Sequence, residues 1–356
     1  IAIASWIQFH YNFIIMGVRM NMKTRVLITF IVFSFFTTQA IGKINGYISF
    51  DYSKGQKQSD ISNGAFNNAR LGLIFSGDIS TKINYLSEIS LQEGGGVDIE
   101  QAWVGIGASE AFNLKLGLYL VPFGKYNQSN RAHQTLLIHN PLNVNYIFPT
   151  RWKDAGILVE GRSSIISYAV YLGNGLSESQ NLRGGQQFGD NNADKGKGGR
   201  IGLFLSKGFE VGYSYFRGKF DDDNSRNLIL QGLDLSWMSE GFQIMSEYTR
   251  ADVGNPEGFS DGKAEGYFIQ ASFDIENFRP VVSYQRIKYT DDFHGSGFIK
   301  NVAAGEGILI EKSCWALGIV YFPSPNILIK LEYDINREEG IEQKDNIFSV
   351  QIGLSF

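Results

Sequence analysis

Four histidines, a run of three aspartates and a triple glycine are the residues of this 356-residue chain whose types invite a chemical reading. Gly94-Gly95-Gly96 would suit a phosphate loop if a Lys-Ser/Thr pair opened a helix behind it, but Val97-Asp98-Ile99 follows, so a hairpin turn is expected. Asp221-Asp222-Asp223 with Asn224 offers oxygen ligands for calcium. It lacks the glycine and distant glutamate of a helical calcium loop and reads as an exposed acidic tip. His133 and His139 could bind a metal, although their six-residue spacing in a loop matches no recognised ligand pattern. A hydrolase needs His beside Ser or Asp in an accessible place. His10 precedes the expected mature chain, and His133, His139 and His294 fall in predicted loops, so neither catalysis nor a cofactor nor a resident metal is expected.

The elements that must carry any site are strands. From Asp345 to the end, Phe348, Val350, Ile352, Leu354 and Phe356 share one face, and Ser349, Gln351, Gly353 and Ser355 the other. A period of two with an aromatic at the last position suits a final strand that pairs with the first and closes a membrane barrel. The same alternation recurs, for example, in Ile44 to Tyr52, Ala69 to Gly77, Phe112 to Val121, Phe209 to Phe216 and Ile327 to Asn336. Altogether about sixteen such segments follow one another. Short connections such as Ser206 to Gly208 alternate with longer ones such as Pro122 to Asp154 and Gly173 to Gly199. Phe112, Phe209, Trp237, Phe242, Phe273, Phe278, Tyr321 and Phe356 lie beside the short turns; Tyr52, Tyr215, Tyr248, Tyr267, Tyr333 and Trp315 lie toward the long loops. The fold class is therefore all-β: a transmembrane antiparallel up-and-down barrel with two aromatic girdles and both termini at the short-turn end.

The leading segment reads differently. Lys23 and Arg25 precede the apolar run Val26 to Phe36 and then small residues around Ala40 and Gly42, the order of a secretory signal peptide. Residues 1–21 are expected to be upstream sequence ahead of Met20 or Met22, 22–42 the signal peptide, and 43–356 the barrel. Removing residues 1–42, which hold Arg19, Lys23 and Arg25 and no acid, takes the formal charge from −4 to −7. A net acidic chain argues against nucleic acid as a partner. The single Cys314 allows no internal disulfide.

Within the barrel, 122–154 is the candidate constriction loop. It is too long for a simple connection, and Leu136, Leu137, Ile138, Leu142, Val144, Tyr146, Ile147 and Phe148 need a surface to pack on. Folding inward would provide one; a lid or a subunit contact is the rival place. Lys125, Arg131, His133, His139, Arg151 and Lys153 are its cationic candidates, and Asp154 is its acid. They could form a positive ring at the narrowest point, or pair with carboxylates on the wall and hold the loop in place. By the alternation Arg70, Lys115, Arg200 and Lys330 face the lumen, as do Glu88, Glu160, Asp234, Glu247, Glu332 and Asp334 together with Asp51, Glu210 and Asp274. Acids outnumber bases there. Arg286, on a lipid-facing position, leaves the register of its strand open.

Leu118-Tyr119-Leu120-Val121-Pro122-Phe123-Gly124, Thr150-Arg151-Trp152-Lys153-Asp154-Ala155-Gly156 and Val170-Tyr171-Leu172-Gly173-Asn174-Gly175 resemble the phosphate-selective porin O and P family of bacterial outer membranes. The resemblance implies a sixteen-stranded homotrimer in the outer membrane of a Gram-negative bacterium, surrounded by lipid. It further implies a third outside loop that narrows the channel, passive passage of small hydrophilic solutes or ions, and anions such as phosphate among the candidate solutes. The sequence departs from the Arg and Lys ladder that marks the family's anion-selective members. A non-conducting barrel used for adhesion or surface binding is the alternative reading.

Overall fold

The computed structural model describes residues 42–179, 182–291, 311–339 and 343–356. The expected upstream and signal segments, the join at Gly42 apart, lie outside the described residues, as does His294. Sixteen strands among the described residues form one closed antiparallel barrel in which each strand pairs with its neighbours in sequence and the last pairs with the first. The first eight are β1 (Gly42–Gly55), β2 (Ala65–Ser80), β3 (Ile83–Gln92), β4 (Gly96–Ser109), β5 (Phe112–Leu120), β6 (Lys153–Arg162), β7 (Ile166–Gly173) and β8 (Gly196–Ser206). The second eight are β9 (Phe209–Lys219), β10 (Asn227–Ser239), β11 (Phe242–Val253), β12 (Gly262–Phe273), β13 (Phe278–Asp291), β14 (Glu311–Ser324), β15 (Ile327–Glu339) and β16 (Ile347–Ser355).

Closure is made at the chain's end. Gly46 and Phe356 exchange backbone hydrogen bonds at 2.8 and 2.9 Å, and the register runs from Tyr47 opposite Ser355 to Gly55 opposite Ile347. The Phe356 ring lies where a side chain on residue 46 would be: a Cβ there would sit 2.3 Å from the ring's Cζ. The tight turns suit the right-handed strand twist. Glu240 and Gly241 both take positive φ, 46° and 82°, the two left-handed positions of a two-residue hairpin.

The burial pattern is inverted relative to a soluble sheet. On β15 Leu331 and Tyr333 are 43% and 39% exposed, whereas Lys330, Glu332 and Asp334 between and beside them are 1, 2 and 5% exposed. Apolar side chains thus face outward and polar ones inward, as lipid outside and a filled interior require. Two ring pairs mark the short-turn girdle, Trp237–Phe242 at 5.6 Å and Phe278–Tyr321 at 4.8 Å. Tyr267–Tyr284 at 6.1 Å and Tyr284–Trp315 at 4.8 Å mark the other.

Two sequence readings are corrected and one left open is resolved. Lys153 and Asp154 belong to β6, not to the loop, because Leu120 and Tyr119 of β5 pair with them; the connection is residues 121–152. Asp274 lies in the turn after β12, where it bonds Arg279 at 2.5 Å, and is not a wall residue. The register of β13 is settled by Arg286, whose guanidinium meets Glu311 at 2.5 and 2.6 Å on the outer face beside the tyrosines and tryptophan of the long-loop girdle. A charge pair at that level sits among headgroups, where an unpaired Arg at mid-depth would be costly.

Candidate functional site

Residues 121–152 contain two short helices, α1 (Tyr126–Ser129) and α2 (Leu142–Tyr146), joined by irregular backbone. Their ends are stapled by Asn127, whose Nδ2 donates to the carbonyls of Val121 and Trp152 at 2.9 Å and whose Oδ1 accepts from the Trp152 N–H at 2.8 Å. Gly124 takes φ +64°, and the chain turns there so that its N–H reaches Ser214 Oγ on β9 at 3.0 Å. The next two N–H groups donate to Glu247 on β11. Farther along, Leu142 N–H donates to Gln285 on β13 at 3.1 Å, and Ile138 and His139 N–H groups donate to Glu332 on β15. Lys330 Nζ donates to Ala132 O at 2.7 Å, Thr135 Oγ1 at 3.0 Å and Leu137 O at 3.3 Å. Irregular backbone at membrane depth is tolerable only where such partners satisfy it.

The segment's apolar residues pack against one another and against the wall. Val144, Ile147, Phe148 and Trp152 are at most 1% exposed. Phe123, Phe148 and Trp152 form a ring cluster with centroids 5.4 to 6.2 Å apart, and Trp152 meets Phe216 of β9 edge-on at 4.9 Å.

The Lys and Arg side chains singled out in and beside the segment each end on a carboxylate. Lys125 Nζ bonds Glu210, and Ser236 Oγ at 2.6 Å. Arg131 approaches both oxygens of Glu88 at 2.9 and 2.6 Å, and Arg151 shares that carboxylate at 2.9 Å, donates to Tyr47 Oη at 3.1 Å and lies 3.6 Å from Glu100. Lys153 meets Asp98 at 2.6 Å and Glu100 at 3.2 Å. On the wall itself Lys115 pairs with Glu160 at 2.6 Å, and Arg200 bridges Asp234 and Glu210 at 2.5 and 2.9 Å. Arg70 lines the outer cavity described below, where its charge acts on Glu100.

Glu100, Asp98 and Tyr47 belong to this network and were not reached by sequence reasoning. The β3–β4 register slips between Glu88 and Ile89, so Glu100 and Gln101 are both turned inward, and strict alternation passes over one of them. Tyr47 could have been read from the alternation of β1, which puts it on the inward face with Ser49 and Asp51. Asn127 carried no sequence signal.

The two histidines are in contrasting places. His139 Nδ1 lies 2.5 Å from Asp334 and 3.7 Å from Glu332, and its Nε2 lies 3.3 Å from Ser349 Oγ. Burial works against its charged form, but the bond to Asp334 and the charges of Asp334, Glu332 and Asp51 outweigh it, and the imidazole is pushed up to about 9. Ser349, His139 and Asp334 thus lie in the order of a hydrolase triad. A base needs a free imidazole lone pair, whereas His139 is held protonated, and Ser349 is fully buried and donates to Ser53 at 2.8 Å. No nucleophile is presented.

His133 packs against Tyr47 with ring centroids 4.8 Å apart and the planes tilted by 36°, and its Nδ1 has no hydrogen-bond partner among the described residues. Burial, then the charge of Arg131, holds its imidazole down to about 4. Because the folded value lies below the ordinary 6.5, the neutral ring's packing contributes fully above about pH 6.5 and is lost as pH falls toward 4. Open-channel current noise is therefore expected to rise across that window. His133→Phe keeps the ring contact with Tyr47 and removes the titration, so recordings of the variant at pH 7 and pH 4.5 should differ much less; an equal rise in both proteins would exclude His133 as the source.

Two cavities flank the segment. One of about 1140 Å³ opens at the short-turn end and is lined by Lys125, Arg162 and Arg200 with Glu110 and Glu160. The other, about 360 Å³ at the long-loop end, is lined by Arg70, Arg151 and Lys153 with Asp51, Asp98 and Glu100. Residues of 121–152 line both.

Residues 39–340 match a sequence family described as Gram-negative porin. An uncharacterized protein of Aquifex aeolicus is 24% identical over 322 residues, covering 78% of this chain and 71% of the relative. Among solved structures, the outer-membrane channel DcaP of Acinetobacter baumannii superposes with a TM-score of 0.65 at 13% identity, covering 90% of this chain and 98% of that one. An anion-selective porin from Comamonas acidovorans gives 0.64 at 11% identity, with 89% and 99% covered. A loop-deletion form of OmpT, an outer-membrane protein of Vibrio cholerae, gives 0.64 at 8% identity, with the same coverage. At such identities the structures are similar in fold alone.

Proposed function

We infer function from a single premise: the chain belongs to the Gram-negative porins. It is an outer-membrane β-barrel channel for passive diffusion, and family and fold point to a channel rather than an enzyme. Beyond that we propose a general, weakly selective pore for small hydrophilic solutes, constricted by residues 121–152, in place of the phosphate selectivity that the local resemblance suggests. The observation that carries this reading is the pairing of Lys125, Arg131, Arg151 and Lys153 with Glu210, Glu88, Glu100 and Asp98. A cation neutralised by a bound carboxylate offers little field to a passing anion, and both cavities carry acids and bases in near balance. On this reading the cations serve as anchors. A homotrimer is proposed with it, supported by a solved trimer form of the Vibrio cholerae relative.

Liposome swelling tests the pore directly. Vesicles carrying the purified protein should swell in isotonic solutions of uncharged sugars, faster for small sugars than for large ones. Vesicles that fail to swell in any sugar would favour a plugged barrel used for adhesion.

A further inference from the structure

We propose that His139, Glu332 and Asp334 form a binding site for a first-row divalent cation, of the Zn²⁺ class, that fastens the inner segment to β15. The three side chains offer one donor atom each, all within 4.8 Å of one another. Glu332 and Asp334 are alternate residues of one strand and so project from the same face. His139 approaches them from the segment between α1 and α2. Two donors about 2.1 Å from a shared ion at the tetrahedral angle stand about 3.4 Å apart, so the widest pair would have to close by up to about 1.4 Å to complete the set.

A second observation points to a ligand. Glu332 and Asp334 are 2% and 5% exposed, and Glu332 Oε1 and Asp334 Oδ1 have no hydrogen-bond partner among the described residues. Their companion oxygens are engaged, Glu332 Oε2 by the backbone N–H groups of Ile138 and His139 and Asp334 Oδ2 by His139. Two buried carboxylates on one face repel one another, and the single imidazolium charge of His139 leaves these two oxygens without partners, which a divalent cation between them would satisfy. The nearby Lys330 ammonium is already turned away, to the carbonyls of Ala132 and Leu137 and to Thr135.

The orientation of the imidazole also fits a ligand. Its Nδ1 faces the carboxylates, where the metal would displace to solvent the proton now shared with Asp334, and its Nε2 faces Ser349 Oγ, whose own proton goes to Ser53. Ser349 is therefore free to accept from Nε2–H, the outer hydrogen bond that fixes the ring of a metal-bound histidine. One nitrogen with carboxylate oxygens favours Zn²⁺ or Mn²⁺ over Mg²⁺ and Ca²⁺, which prefer oxygen throughout. The His139 side chain is 34% exposed, which leaves an edge for entry and for a water ligand.

The proposal does not depend on how the pore selects, and its test reads binding rather than conductance. Full-length protein in detergent, stripped with a chelator, is titrated with Zn²⁺ by calorimetry, with Mg²⁺ as comparator. One Zn²⁺ per chain is expected. His139→Gln and Asp334→Asn should each weaken Zn²⁺ by at least about tenfold, while His133→Gln leaves it unchanged. Heat-modifiable gel migration reports whether each variant is folded. X-ray absorption of the wild-type protein with Zn²⁺ supplies a readout independent of the variants: one imidazole nitrogen among oxygens is expected. No saturable Zn²⁺ uptake, equal uptake by His139→Gln, or a shell without nitrogen would each overturn the site.

Discussion

Replacing Glu88 with glutamine is expected to release the inner segment from the β3 side of the barrel and to raise both the conductance and the noise of the open channel. Glu88 is fully buried and accepts from Arg131, Arg151, Gln101 and Tyr47. Arg151 is itself only 5% exposed, so loss of the shared charge leaves one buried guanidinium dependent on Glu100 alone and a second with no carboxylate. Removing one partner of a buried ion pair costs roughly 3–5 kcal/mol, because the remaining charge stays desolvated and uncompensated. The barrel ladder does not depend on this carboxylate, so the variant should still migrate as a folded barrel. Hydrogen exchange gives the second reading: amides of 121–152 should exchange faster while those of β9 to β14 do not. Unchanged noise together with unchanged exchange would show that Glu88 does not hold the segment.

The second large effect is expected from neutralising the segment's cations together. In Lys125→Gln, Arg131→Gln, Arg151→Gln and Lys153→Gln combined, Glu88, Glu100 and Asp98 lose their cationic partners on one side of the lumen, and Glu210 on the other keeps Arg200 alone. If these cations anchor, conductance and noise should rise severalfold, with only a small move of the reversal potential toward cations as the freed carboxylates face the pore. If they instead select, the reversal potential should move strongly while conductance stays near its wild-type value. The distinction is sharp because anchoring acts through the width of the gap and selection through its field. No change in either quantity would mean that 121–152 is not the constriction.

The barrel was legible in the sequence because lipid imposes its pattern at every second residue over the whole length. Phe348 to Phe356 already displays both faces and the closing aromatic, and each turn repeats the signal. The inner segment was legible in composition but not in contacts. Its cations and apolar residues could be seen to need partners, yet whether Arg151 meets Glu88 or solute depends on a fold of irregular backbone that no period describes. Glu100 was hidden by a single slip of register, whereas Tyr47 lies on the inward face that the alternation of β1 already displays. The grouping of His139 with Glu332 and Asp334 joins residues almost two hundred positions apart, and spacing within the loop could not show it.

The most direct measurement is single-channel recording of the purified wild-type protein in planar bilayers under a tenfold gradient of potassium chloride. A weakly selective pore predicts stepwise conductance with a reversal potential near zero, displaced only slightly in either direction. A strongly anion-directed reversal potential, or current through the open pore blocked by added phosphate, would contradict the pairing of the inner cations with the wall. Absence of any conductance step would contradict the channel itself.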